Sequence, residues 1–345
     1  MTRKCNARCP FCFYLKNNDT AAPAAPELSL EEISKVSRSV GSLLWIAFSG
    51  GEIYLRDDLT EISTIFYENN TPSVMLYPTN GMLPGVIRER TEEIVRRCKK
   101  SIIVVKLSMD GIGRSHDTIR NTPGSFELTM ETYHQLQGLI ERYPNFELGI
   151  NTVFCPENQD SMDALIDFVQ DLKNIKTHTI SLIRGNIADR YYKDISYEKY
   201  YRAIARLEKD LKKRTSPIYR FKGAGIKAAQ DILQRRFIHE TVKEQRRLIP
   251  CYAGRLNLVL TEKGDVYPCE VLPGKFGNIR DMDYDIMRAV RTEKARNILG
   301  SIEEGKCFCT HECYFMTNIL FNPRMYPGLL SEYLHLGRGP LRGES

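Results

Sequence analysis

The 345-residue chain carries 49 Lys or Arg against 43 Asp or Glu, with 42% hydrophobic residues, the balance of a water-soluble globular protein large enough for one big domain or two ordinary ones. No apolar run approaches the roughly 18 residues of a membrane span, no signal-peptide pattern opens the chain, and a net charge of +6 is too mild to indicate nucleic acid as a partner. A cytoplasmic location is therefore expected, and in a reducing compartment ten cysteines read as metal ligands sooner than as disulfides.

The first feature in chain order is a loop, "KCNARCPFCFY" at residues 4–14, which brings Cys5, Cys9 and Cys12 together. "SLEE" at Ser29 to Glu32 then forms a capping box that opens a helix over "LEEISKVSRSV". From there to Asn186, short β-branched or aromatic runs ("LLWIAF", "SVMLYP", "SIIVVKLSM", "FELGINTVF", "HTISLI") alternate with amphipathic stretches ("LTEISTIFYEN", "GVIRERTEEIVRRC", "LTMETYHQLQGLIERY", "MDALIDFVQDL"). This alternation predicts an α/β fold of right-handed βαβ units around a parallel sheet, with any chemistry at the carboxyl ends of the strands.

Those ends carry "SGGE" (Ser49 to Glu52), "PTNG", "SMDG" (Ser108 to Gly111) and "RGN" (Arg184 to Asn186). Each alone is ordinary turn chemistry, but four at one rim beside a cysteine loop point to a site. Residues 191–249 lose the strand pattern and read as helical, with breaks at "TSP" and "KGAG". Within them, residues 201–247 hold 14 Lys or Arg against 5 Asp or Glu, a solvated face or a surface for an anionic substrate. "CYAGRLNLVLTEKGDVYPCE" at 251–270 reads as a β-hairpin turning at Lys263 and Gly264, and "LGRGPLRGES" as a loose tail.

The cysteine loop has a chemical reading of its own. A [4Fe-4S] cube usually takes four thiolates, so three leave one iron open to a small molecule. A zinc knuckle is the alternative, and the loop lacks a fourth Cys or His at finger spacing. With Phe11 just before the last cysteine and Gly50, Gly51 and Glu52 after the next strand, the C-x3-C-x2-C loop resembles that of the radical S-adenosylmethionine (SAM) superfamily.

What the resemblance implies is a partial (β/α)6 TIM-like barrel over residues 1–190, with SAM chelating the open iron of the cluster on Cys5, Cys9 and Cys12. Reductive cleavage of SAM then gives methionine and a 5'-deoxyadenosyl radical that takes hydrogen from a substrate. By the same resemblance Ser49, Gly50, Gly51 and Glu52 meet the methionyl ammonium, Ser108, Asp110 and Asn151 the ribose or methionyl group, and Arg184 the SAM carboxylate. Phe11 and Tyr14 are expected beside the adenine. A first barrel strand normally leads into such a loop, and "MTRK" is shorter than a typical strand of about five or six residues, so a stub or an incomplete β1 is expected.

The second cysteine group is Cys251, Cys269, Cys307, Cys309 and Cys313, the last three in "CFCTHEC". Cys251, Gly264 and Cys269 resemble the hairpin that opens the SPASM and twitch extensions, implying an auxiliary-cluster domain over 250–330 and a tail over 331–345. Five thiols suit one auxiliary cluster, expected to be [4Fe-4S], with one to spare; zinc is the rival. Cys98 and Cys155 read as packing, and His311 as a neighbour of the ligands. Glu270 follows Cys269 where anaerobic sulfatase-maturating enzymes place an Asp base, so it is a candidate catalytic residue. The expected partners are a small-molecule substrate, or alternatively a peptide, and an electron donor such as flavodoxin or ferredoxin; a cluster-bearing redox or sensor protein is the non-enzymatic alternative. Four residues before Cys5 leave no room for a peptide-recognition domain ahead of the barrel.

Overall fold

A computed structural model describes residues 1–14 and 26–336. The capping box forms as read: Ser29 accepts from the Glu32 amide, Glu32 accepts from the Ser29 amide, and α1 (Leu30–Ser39) follows. Strand and helix then alternate through β1 (Trp45–Ala47), α2 (Leu59–Asn70), β2 (Val74–Thr79), α3 (Pro84–Arg97) and β3 (Ile102–Ser108). After the short α4 (Arg114–Ile119) come α5 (Ser125–Arg142), β4 (Phe146–Phe154), α6 (Met162–Asp171) and β5 (Ile175–Leu182). Pro84 starts α3, where its missing N–H leaves no intrahelical bond unmade. All neighbouring strands pair in parallel in the order β1-β2-β3-β4-β5.

The period-2 geometry of a strand sorts side chains onto two faces. On β3, Ile103, Val105 and Leu107 are fully buried in the main core, while Val104, Lys106 and Ser108 line an internal cavity. On β2, Met75 and Tyr77 are buried in that core, and Val74, Leu76 and Pro78 face the cavity. The sheet therefore has one face under helices and one face around a hollow, the layout of a partial barrel.

The parallel sheet has five strands among the described residues instead of the six of a (β/α)6 barrel. Beside the chain leaving β1 lies the N-terminal segment: the Met1 amino group donates to Ser49 O (2.8 Å), Gly51 N to Thr2 O (2.7 Å) and Glu52 N to Lys4 O (2.9 Å). Three bonds hold the segment against the rim without making it a strand.

The helical connection is α7 (Tyr197–Lys213) and α8 (Ala224–Glu244), broken between them as expected. The hairpin of β6 (Val259–Leu260) and β7 (Asp265–Tyr267) turns at Gly264, whose φ of +88° favours glycine, and β8 (Gly277–Asn278) adds a third antiparallel strand that the sequence pattern did not show. Helices α9 (Ile286–Val290), α10 (Glu293–Glu303), α11 (Glu312–Leu320) and α12 (Tyr326–His335) complete the chain, with α11 and α12 packed on α8. Helix α12 runs past residue 330, so the segment expected to be a loose tail begins inside a helix; residues 337–345 lie outside the described residues. Among the described residues no helix is long and apolar enough to cross a membrane.

Candidate functional site

The hollow is a cavity of about 730 Å³ with Cys5, Cys9 and Cys12 in its wall at the carboxyl end of the strands. The loop turns back on itself where Cys12 N donates to Cys9 O (3.0 Å), and it packs on Ala7, Phe11, Met82, Ile119 and Cys155 in a small apolar cluster. Burial pushes the Cys9 thiol up to about 11 and raises Cys5 as well, so neither sheds its proton readily without a metal to take the thiolate. The guanidinium of Arg120 opposes that shift at both thiols.

Arg120 is the residue the sequence reading missed. It lines the cavity just after α4, a helix too short to leave a periodic signature, and its Nε donates to Asp110 Oδ2 at 2.8 Å. Asp110, expected to meet SAM directly, is instead fully buried and does not border the cavity. Its Oδ1 accepts from Val153 N (2.7 Å), its carbonyl from Asn158 Nδ2 (2.9 Å), and its amide donates to His116 Nδ1 (3.1 Å). Every polar group of Asp110 is engaged, and what it presents to the cavity is Arg120.

Gly50 and Gly51 have a packing reason before any ligand is considered. A Cβ on Gly50 would lie 2.4 Å from Thr2 O, and one on Gly51 2.1 Å from Lys4 O, backbone against backbone. Glu52 is buried with its Oε1 accepting from Thr79 Oγ1 (2.9 Å) and Tyr54 N (3.2 Å) and its Oε2 from Asn80 N (2.8 Å). Burial raises its pKa against those donors. Ser49, Ser108 and Asn151 line the cavity, the last two paired across β3 and β4, and Ser181 Oγ donates to Asn151 Oδ1 at 3.2 Å. Phe11 is buried with its ring 6.1 Å from that of Tyr192. Tyr14 also lines the cavity, but its hydroxyl donates to Glu262 Oε2 (2.6 Å) and so ties the cysteine loop to the C-terminal hairpin.

Arg184 reaches the cavity wall already engaged by two acids of the C-terminal part: Glu312 Oε2 at 2.9 Å and Glu270 Oε2 at 3.8 Å. Glu270 in turn meets His311 Nε2 at 2.8 Å. Burial pushes Glu270 up, yet His311 and Arg184 outweigh it and hold the carboxyl down at about 2. That pairing makes Glu270 a weak base. His311 Nδ1 caps α11 by accepting from Cys313 N (3.3 Å), so both ring nitrogens have protein partners.

Cys251, Cys269 and Cys307 pack together around Ala253, Ile302 and Tyr314, and Cys309 lies within electrostatic reach of Cys251 and Cys269. Cys313, at the start of α11, faces the barrel cavity. Cys98 and Cys155 are fully buried. Among the described residues no three His, Cys, Asp or Glu donors converge closely enough to hold a single metal ion. Both groups consist of thiols, the ligands that iron-sulfur clusters take.

The chain matches the family described as Radical SAM superfamily over residues 1–169 and the SPASM family, described as an iron-sulfur cluster-binding domain, over residues 251–314. It is 26% identical over 300 residues to an AdoMet-dependent heme synthase of Methanosarcina barkeri, covering 82% of this chain and 79% of the relative. It is 24% identical over 290 residues to the antilisterial bacteriocin subtilosin biosynthesis protein AlbA of Bacillus subtilis, covering 83% of this chain and 57% of AlbA. The structure of histidine-tagged anSMEcpe with bound AdoMet shares the fold at a TM-score of 0.61 and 18% identity, over 96% of this chain and 91% of that one. The cysteine loop at the rim of a partial barrel, the thiol group beyond the hairpin and the two family matches agree: residues 1–169 are a radical SAM domain and residues 251–314 an iron-sulfur cluster-binding SPASM domain.

Proposed function

We propose that this enzyme generates a radical from SAM at the rim of the barrel and uses it on a small molecule enclosed in the cavity below. The observation that carries the reading is the continuity of that space: the wall that holds Cys5, Cys9 and Cys12 also includes Ser108, Asn151 and the inner faces of β2 and β3. A [4Fe-4S] cluster held by Cys5, Cys9 and Cys12 would supply the electron that cleaves SAM reductively. Arg120, held by Asp110, presents a cation to the carboxylate of SAM; Ser108 and Asn151 offer hydrogen bonds to its ribose or methionyl part, and Phe11 a face for adenine. The apolar strand faces exclude water from a reactive radical. Arg184 is clamped by Glu312 and Glu270, so in this reading it fastens the SPASM domain to the barrel instead of binding SAM. Cys251, Cys269, Cys307 and Cys309 hold the auxiliary cluster, and Cys313 is the spare thiol.

The relative named heme synthase, whose product is a small molecule, supports this reading. Modification of a peptide is the second reading, favoured by the likeness to AlbA, which by name serves bacteriocin biosynthesis. Anaerobic reconstitution with iron and sulfide, followed by dithionite and SAM, tests the shared chemistry: 5'-deoxyadenosine is the expected product. Its absence from protein with both clusters intact overturns the reading.

A further inference from the structure

The inner face of the barrel carries a second polar group below the SAM level. Lys106 sits two residues before Ser108 on β3, about 7 Å deeper along the strand, and points into the cavity with 8% of its surface exposed. Its Nζ donates to Thr177 Oγ1 and, at 3.3 Å, to Thr179 Oγ1, and lies 5.9 Å from the centre of the Tyr219 ring. None of these partners is an acid.

From α8 a second cation faces the same space. Arg235 lines the cavity; its Nη2 donates to His178 O at 3.4 Å, while its buried Nη1 has no hydrogen-bond partner. Neither Lys106 nor Arg235 belongs to any ion pair among the described residues. Lys227 and Asp231 also line the cavity but are paired with each other. The remainder of the basic stretch behaves differently: Arg202, Arg206, Lys212 and Arg236 lie in ion pairs on the outer faces of α7 and α8. The charge excess of residues 201–247 is thus mostly a solvated surface; Lys222, Lys227 and Arg235 are its members at the cavity wall.

Unpaired cations in a largely apolar enclosure are costly unless something neutralises them. We propose that Lys106 and Arg235 form an anion site in the cavity that takes the carboxylate of an otherwise apolar substrate and holds its body toward the cysteine loop. This rests on the reading that the substrate lies inside the barrel. The site offers a guanidinium with an unused donor beside an ammonium. A carboxylate fits better than a phosphate because phosphates favour nests of backbone N–H groups or helix N-termini. Here Lys106, Thr177 and Thr179 are mid-strand and Arg235 is mid-helix, where backbone donors belong to the sheet and helix ladders. Pro78, paired with Lys106 across β2 and β3, and Val153, further along β4 toward the cysteine loop, offer apolar walls to a hydrocarbon body.

Trp45 is the chain's single tryptophan and lines the same cavity, so binding has a built-in reporter. Titration of the cluster-loaded protein with octanoate, octanamide and octyl phosphate is expected to show saturable change at Trp45 with octanoate, at least about tenfold tighter than with octanamide. Lys106→Met and Arg235→Gln are expected to erase that preference, and Lys106→Arg to keep it. The unliganded Lys106→Met protein should melt no lower than the parent, because it loses an unpaired buried charge. Equal affinity for octanoate and octanamide overturns the proposal, as does an unchanged preference in Lys106→Met, a lowered melting point of that variant, or tighter binding of octyl phosphate. A failure here in protein that still forms 5'-deoxyadenosine removes the anion site alone; failure to form 5'-deoxyadenosine removes the reading beneath it.

Discussion

At the scale of single residues, two buried charges behave in opposite ways because one has a partner. Asp110 and Arg120 are almost fully buried and bonded at 2.8 Å, so removing one partner strands the other. Asp110→Ala should cost about 3 kcal/mol or more of stability, and in the surviving protein should weaken SAM binding while leaving the iron content of the cysteine loop unchanged. Equilibrium unfolding and SAM titration read the two effects separately. Lys106 lacks such a partner. Burial, helped by the nearby cations Lys227 and Arg235 and opposed by Asp231, lowers it from 10.5 to about 7. The unfolded chain therefore holds a proton between about pH 7 and 10.5 that the folded chain has released, and stability from this group rises with pH across that window. Denaturation at the two ends of the window should show the rise in the parent and its loss in Lys106→Met. A rise of equal size in the variant would assign it elsewhere. Neither Arg120 nor Lys106 is legible as a site residue from the pattern. Arg120 follows a six-residue helix without a period to read, and Lys106 stands in an apolar run where a lone lysine gives no hint of which face it takes.

At the scale of elements, the pattern is more informative. The capping box of α1, the five parallel strands and the Gly264 turn all follow from local rules that tertiary context does not override. The glycine pair shows where a motif is legible and its physical cause is not. The motif suggests room for a ligand at Gly50 and Gly51, and the structure shows first that they are room for residues 2 to 4. Gly51→Ala should thus displace the N-terminal segment and with it the cysteine loop, seen as a fall in iron bound at that loop with the SPASM iron retained. Normal loading in Gly51→Ala would show that the segment yields without moving the loop. Element placement also separates the five C-terminal thiols, because the start of α11 turns Cys313 toward the barrel. Cys313→Ser should keep the full iron content, and Cys269→Ser should lose the auxiliary share; loss of the auxiliary share in Cys313→Ser would put it among the ligands.

At the scale of the whole molecule, the SPASM domain is fastened to the barrel by contacts between residues far apart in sequence. Tyr14 meets Glu262, Arg280 meets Glu32 (2.6 Å), and Arg184 meets Glu312. No periodicity reveals such pairs, so the two acids that engage Arg184 cannot be read from its own segment. In the proposed function the chain holds two clusters with separate duties, the one at Cys5, Cys9 and Cys12 carrying SAM chemistry. Iron and 5'-deoxyadenosine measured together on three reconstituted proteins test it: the parent, a Cys5/Cys9/Cys12→Ala variant and a Cys251/Cys269→Ala variant. The parent should hold roughly eight irons, four per cube, and form 5'-deoxyadenosine. The barrel-loop variant should keep about half the iron and form none, while the SPASM variant should keep about half and still cleave SAM. Formation of 5'-deoxyadenosine by the barrel-loop variant, or its loss in a SPASM variant whose barrel cluster is intact, would contradict the account.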